Sequence, residues 1–251
     1  MNARGNKHTP ELRVLYVDNH VLAVEKPAGL PTVPDDSKDV SLLDLSKEWI
    51  RREFRKPGNV FCGVVHRLDR PVSGVICFAR TSKAASRLTQ AFRERRTKKI
   101  YWGVSAAPPD AGGAARGELE SRGELEQWLR KDRARNKSHV CAPTSEGAKQ
   151  ALTSWKLLET IHGAGNLERH LLELRPHTGR SHQLRIAAAS LGAPLLGDLR
   201  YGADEPLPDK SIALHAFSIE FVHPTRDELL CFSCPAPSLD IWRFRAVSQA
   251  K

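Results

Sequence analysis

The hydrophobic periodicity of this sequence predicts strands predominating over a few long helices, a pattern compatible with an α+β fold that does not by itself select it. Short apolar or alternating runs, the mark of strands, recur along the chain, and they outnumber the helical stretches. Three stretches read as helices: 41–55, 83–96 and 181–191. There is no internal repeat, and no apolar run approaches the ~20 residues of a membrane span. Periodicity gives the element types; the motifs below narrow how they are arranged.

In chain order, residues 1–11 read as a disordered tail. Arg13–Val17 and Val21–Glu25 form two strands around an Asp18-Asn19-His20 turn. Lys26-Pro27-Ala28-Gly29-Leu30-Pro31 is rich in turn formers. Ser41 caps a first helix with Asp44 three residues on, and Pro57-Gly58 ends it. Val64–Ala79 reads as strand, loop, strand, with His66-Arg67-Leu68-Asp69-Arg70 in the loop. Ser82 caps a second helix whose other face carries Lys83, Arg87, Arg93 and Arg95. Lys98–Val104 is a strand, and Pro108-Pro109 with Gly112-Gly113 makes a flexible connection. Gly123–Lys137, polar and Arg-rich, is either a solvated excursion or a flap facing a polyanion. Leu152–Leu158 and Leu167–Leu174 are strands joined by a turn at 162–165. Ser181 is positioned to cap a helix to Leu191, aiming backbone N–H groups and Arg180 at an anion. Leu214–Val222 and Glu228–Ser233 are the last strands before a Pro-rich end.

The balance of 39 Lys+Arg against 29 Asp+Glu leaves a formal charge of +10. A surplus of that size favours a polyanionic partner, nucleic acid first. Five cysteines and no apolar leader point to a reducing compartment, hence the cytoplasm. Cys231-x-x-Cys234 is the one close pair, and no second pair stands at zinc-ligand spacing, so no metal is expected. Phosphate-loop and dinucleotide-binding fingerprints are absent, and no nucleotide cofactor is expected.

Asp69 is the residue most suggestive of chemistry. It stands alone between Arg67 and Arg70 on a loop between two stiff strands. Flanking arginines favour an ionised carboxylate, available as nucleophile or base. The same residues also suit a plain charged turn in which Asp69 pairs with a neighbouring Arg.

His66-Arg67-Leu68-Asp69-Arg70-x-x-Ser73-Gly74 resembles the HRLDRxxSG signature of the RluA-type pseudouridine synthases. Many members carry Asp-Thr or Glu-Thr where this chain has Pro71-Val72. Three further stretches resemble the family in the same order: the KPxG loop at 26–29, Lys99-x-Tyr101, and TGRSHQLR at 178–185. A tail follows, Gly192-x-Pro194 and Gly197-Asp198-x-x-Tyr201-Gly202. The resemblance covers about Arg13 to Phe244 and leaves no room for the family's N-terminal S4 domain. It implies an α+β fold, with a mixed, mostly antiparallel sheet, flanking helices and a central cleft. Residues 12–246 would form one catalytic domain of two subdomains.

The resemblance also implies roles. Asp69 is the catalytic carboxylate, Tyr101 stacks on the target base, and an arginine of the third motif pairs with Asp69. Arg185 is favoured for that pairing, with Arg180 as runner-up. His66, Arg67 and Arg70 join Arg180 as substrate-binding residues, and Leu174 and Leu184 are candidates for the apolar wall of a uracil pocket. The implied partner is RNA, tRNA or rRNA, engaged by a monomer with no metal, no cofactor and no membrane. Two rival readings are a non-catalytic RNA-binding or ribosome assembly protein, and a hydrolase using Asp69 with His66 or His182.

Overall fold

The computed structural model describes residues 11–109, 121–162 and 168–249. Nearly all of the expected tail, the Gly112-Gly113 connection and residues 163–165 of the expected turn lie outside the described residues.

The described strands form one eleven-stranded sheet. Its path runs β1 (Arg13–Val17), β2 (Val21–Lys26), β4 (Ser73–Ala79), β10 (Leu214–Val222), β5 (Lys98–Ser105), β9 (Glu168–Pro176), β8 (Lys149–His162), β6 (Arg122–Asp132) and β7 (Lys137–Val140). Off this path, β3 (Gly63–Val64) pairs with β4, and β11 (Leu229–Ser233) with β10. Every pairing is antiparallel except β4 with β10.

That parallel contact joins the two arms of the sheet. It is short, with Ser73 opposite His215 and Gly74 opposite Ala216. Gly74 has φ +125°, and a Cβ there would lie 2.3 Å from the Ala216 carbonyl oxygen. A side chain at 74 would therefore push the two strands apart.

On the β2–β4 arm, alternation divides the side chains between two layers. Leu22, Val24, Ile76 and Phe78 face the cluster that receives Leu42 and Ile50 of α1 (Leu42–Glu53). Val21, Ala23, Val75 and Cys77 face the cluster that receives Ala84 and Leu88 of α2 (Ser82–Arg93). Because both faces are covered, these strands read as nearly continuous apolar runs.

The Ser41 capping box forms as expected: Ser41 Oγ accepts from Asp44 N at 3.2 Å, and Asp44 Oδ2 accepts from Ser41 N at 3.1 Å. At α2 the cap is Thr81, one residue earlier than expected, with its hydroxyl accepting from Ala84 N at 3.2 Å. The third helix, α3, spans only Gln183–Ser190, and its cap position is His182 with no side-chain capping bond. The Ser181 cap is thus corrected. The preceding turn is fixed from within by Gln183, whose Oε1 accepts from Thr178 Oγ1 at 2.7 Å and Arg180 N at 3.0 Å. The Arg-rich segment after 122 is strand: β6 and β7 form a hairpin, and Leu129 is the one fully buried side chain of β6. Its charges hid the alternation because little of it faces a core. The C-terminal stretch adds a single 3₁₀ turn, Asp240–Trp242, and a short α4, Arg245–Gln249.

Candidate active site

Asp69 lies on the loop between β3 and β4, and that loop is tightly held. Leu68 is 6 % exposed and packs into the core. Thr32 Oγ1 donates to Leu68 O at 2.8 Å and accepts from Leu68 N at 3.2 Å. Lys26 is fully buried, and its Nζ donates to Pro27 O, Leu30 O and Arg70 O at 2.9, 2.7 and 3.0 Å. Three carbonyls match three ammonium donors. Burial, opposed by the Asp69 charge, lowers the Lys26 pKa to about 7. Beyond Asp69, Val72 N donates to Asp69 O at 3.0 Å and Ile212 N to Pro71 O at 3.2 Å. The backbone around Asp69 is therefore preset before any ligand arrives.

The charge that meets Asp69 comes from far along the chain. Arg185, on α3, donates from Nη1 to Asp69 Oδ2 at 3.3 Å. Its other donors form a fork on Asp198: Nε to Oδ2 at 2.7 Å and Nη2 to Oδ1 at 2.6 Å. Arg185 is 6 % and Asp198 1 % exposed. Burial alone would lower the Arg185 pKa, but Asp198 and then Asp69 outweigh it and hold it raised. One guanidinium thus bridges a buried anchoring carboxylate and a carboxylate that faces open space.

That space is a cleft of about 1950 Å³. Asp69, Tyr101, Arg185, His66, Arg67, Arg70, Arg180 and Leu184 line it. Tyr101 projects from β5, where it pairs with Ala216 on one side and Leu174 on the other. Burial first and the Asp69 charge second raise its pKa, so it stands as a phenol. Phe92, Arg93, Arg95 and Lys99 flank one side of the cleft, and Lys131, Lys137 and Arg200 another.

Several expected neighbours of Asp69 do other work. Arg70 donates to Gly29 O at 2.9 Å and pairs with Asp39, so its charge goes to the 29–39 loop. Arg180 donates from Nε to Gln150 O at 2.8 Å, which ties it to β8 and leaves Arg185 as the partner of Asp69. The His66 Nε2 accepts from Cys77 N at 2.9 Å, and its ring stacks on Phe92 at 4.8 Å. Burial lowers its pKa to about 3, so it is neutral, and Nδ1–H is the ring donor left for a ligand. Leu174 has no exposure and lies outside the cleft lining, because its place opposite Tyr101 on β9 is inside the core. Arg67 is exposed and makes no hydrogen bond or ion pair with any described residue.

A family model described as RNA pseudouridylate synthase matches residues 20–190, more than half of the chain. The chain belongs to the RluA-type RNA pseudouridine synthases. It is 34% identical over 235 residues to the dual-specificity RNA pseudouridine synthase RluA of Escherichia coli K12, covering 90% of this chain and 94% of that one. It is also 34% identical over 209 residues to an uncharacterized RNA pseudouridine synthase of Zymomonas mobilis, covering 83% and 86%. Among solved structures, the human RNA pseudouridylate synthase domain containing 1 superposes with a TM-score of 0.66 at 29% identity, over 91% of this chain and 84% of that one. The protein is accordingly an isomerase that forms pseudouridine in RNA.

Within this pseudouridine synthase, sequence reasoning gave no role to three residues beside the candidate site, Lys26, Asp198 and Tyr201, and named His182 only for a rival hydrolase reading. Asp198 and Tyr201 stood in the quoted tail motif without a role. Their signal was an acid and an aromatic on a Gly-bounded turn. Gly197, at φ +79° with a would-be Cβ 2.6 Å from Ser211 O, lets that turn pack tightly enough to bring Asp198 under Arg185. Among the described residues no cluster of three or more His, Cys, Asp or Glu is arranged to hold a metal. No described helix is long and apolar enough to cross a membrane.

Proposed function

We propose that Asp69 is the carboxylate that acts on an everted uridine of structured RNA. Pseudouridine formation breaks the bond from the sugar anomeric carbon to base nitrogen 1 and makes one to carbon 5, whose proton then leaves. No redox partner or phosphate donor is needed. The observation that carries the reading is the Asp69–Arg185 contact at 3.3 Å on the wall of the cleft, with Arg185 fixed from behind by Asp198. A charge held by a preset partner needs no reorganisation during reaction.

The remaining residues have matching tasks. Tyr101 offers a stacking platform, a contact of about 1–3 kcal/mol per base. As a phenol it would accept the carbon-5 proton only if another group took its own, so its first role is stacking. Arg67, exposed and unpaired among the described residues, fills the gap left by the everted base, which costs a few kcal/mol to extrude. Leu184 forms the apolar wall, and Leu174 supports Tyr101 from inside the sheet. His66, Arg70 and Arg180 contribute at the rim while bracing the loops they sit on.

The substrate is tRNA or ribosomal RNA. It is engaged by a monomer. Five cysteines without a disulfide support a reducing compartment such as the cytoplasm. The test is tritium release from carbon 5 of labelled uridine in RNA. Wild-type protein releases it, and Asp69→Ala does not while still binding RNA. Release at the wild-type rate by Asp69→Ala would remove the carboxylate from the mechanism. Mapping pseudouridines in total RNA with and without the gene identifies the RNA.

A further inference from the structure

His182 is placed oddly for a helix cap. Its φ is +57°, a left-handed value uncommon for a residue with a Cβ, and it makes no capping bond. Its side chain is 6 % exposed and sits between two polar groups. Nδ1 lies 2.7 Å from the Tyr201 hydroxyl oxygen. Nε2 lies 3.7 Å from Asp69 Oδ2, the oxygen that Arg185 also meets.

Counting protons leaves two arrangements. The Tyr201 oxygen accepts from Ser138 N at 3.0 Å and lies 3.0 Å from Ser138 O. It has one hydrogen to give. If that hydrogen goes to Ser138 O, the 2.7 Å contact requires a hydrogen on Nδ1. Nε2 is then a bare lone pair facing a carboxylate. If the hydrogen goes to Nδ1, Nε2 carries its own and points it at Asp69. Both arrangements keep the 2.7 Å contact; only the second turns the positive end of an N–H, rather than a lone pair, toward the carboxylate, and that favours it. Burial lowers the His182 pKa, which keeps the ring neutral and the choice of tautomer meaningful.

We infer that His182 is a positioning residue for Asp69: with Tyr201 fixing its tautomer, its Nε2–H acts with Arg185 to draw back one carboxylate oxygen and leave Oδ1 to face the substrate. Oδ1 has no partner among the described residues. At 3.7 Å the contact is longer than a hydrogen bond, and it is of the kind that tightens when substrate closes a site. The inference rests on Asp69 being the catalytic carboxylate.

The experiment compares His182→Asn and His182→Gln in tritium release, RNA affinity and thermal unfolding. Asn tolerates the left-handed backbone but reaches only as far as Nδ1. Gln carries an amide N–H about where Nε2 stands. His182→Asn is expected to lower kcat about tenfold to a hundredfold with KM and RNA affinity unchanged, and His182→Gln to recover most of the loss. His182→Asn at the wild-type kcat, or Asn and Gln losing kcat equally, overturns the inference. Should His182→Asn fail to fold, Tyr201→Phe decides. It keeps the histidine but removes the hydrogen given to Nδ1, so kcat falls while RNA affinity holds; an unchanged kcat overturns the inference. Asp69→Asn, run alongside, separates the two claims. If it turns over, the reading of Asp69 fails; if it is inactive while His182→Asn runs at full rate, only the role of His182 fails.

Discussion

The Arg185 guanidinium is shared between two carboxylates that have different fates. Asp198 is buried and takes two of its donors, whereas Asp69 is part-exposed and takes the third at a longer distance. Removing the buried partner leaves a desolvated cation half satisfied, a loss of about 3–5 kcal/mol in comparable cases. Asp198→Ala is therefore expected to lower the unfolding midpoint strongly and to release Arg185 from its aim at Asp69. Thermal unfolding together with tritium release checks both; a stable, fully active variant contradicts the anchoring role. Lys26 presents a related case on the other side of the loop. Lys26→Met leaves three part-buried carbonyls without their donor, and one unpaired group costs about 1–3 kcal/mol when water cannot reach it. Denaturant unfolding should show a loss of about that size, since water reaches the more exposed of the three.

Among the elements, the shortest contact has the largest consequence. The parallel meeting of β4 and β10 spans two residue pairs, yet it sets Tyr101 of β5 beside the Asp69 loop, since β5 is the next strand across β10. Gly74→Ala must open this contact, because its new methyl would overlap Ala216 backbone atoms at a positive φ. It should cost about 4 kcal/mol or more, against about 1 kcal/mol for loss of the α1 cap in Ser41→Ala. Paired unfolding curves give the ratio, and similar losses from the two would refute the crossing argument. Element types were legible because burial on both faces of β2 and β4 produces unbroken apolar runs, and one-sided helices produce a stripe. The β6–β7 hairpin was not, since most of its side chains meet no core and its charges follow solvent.

At the scale of the whole molecule, a net charge of +10 is distributed unevenly in its use. Lys98 is paired with Glu220, Arg96 with Glu94 and Arg13 with Glu25, so these cations are partly neutralised. Arg93 and Lys131 line the cleft and make no ion pair with a described residue. RNA affinity should fall with salt, and Arg93→Ala or Lys131→Ala should each reduce the slope of log affinity against log salt by about one. Lys98→Ala should leave it nearly unchanged. Filter binding at several salt concentrations measures this, and equal slopes for all three variants would mean that the cleft is not the RNA path.

By itself the sequence determined which motifs the chain carries and in what order they come, and with them the candidates for chemistry. Asp69, Tyr101 and Arg185 stand in local motifs, and a local pattern of turn formers, apolar runs and charges survives without knowledge of neighbours. Only the tertiary structure decided which cation Asp69 meets, since Arg70 lies nearer in sequence and Arg180 stood as runner-up to Arg185, and both are bonded elsewhere. The same holds for Asp198, His182 and Tyr201, and for the withdrawal of Leu174 into the core. The physical reason is that a side chain's partner depends on which strands cross and at what register. In this chain a two-residue parallel contact, possible because position 74 lacks a Cβ, sets that register.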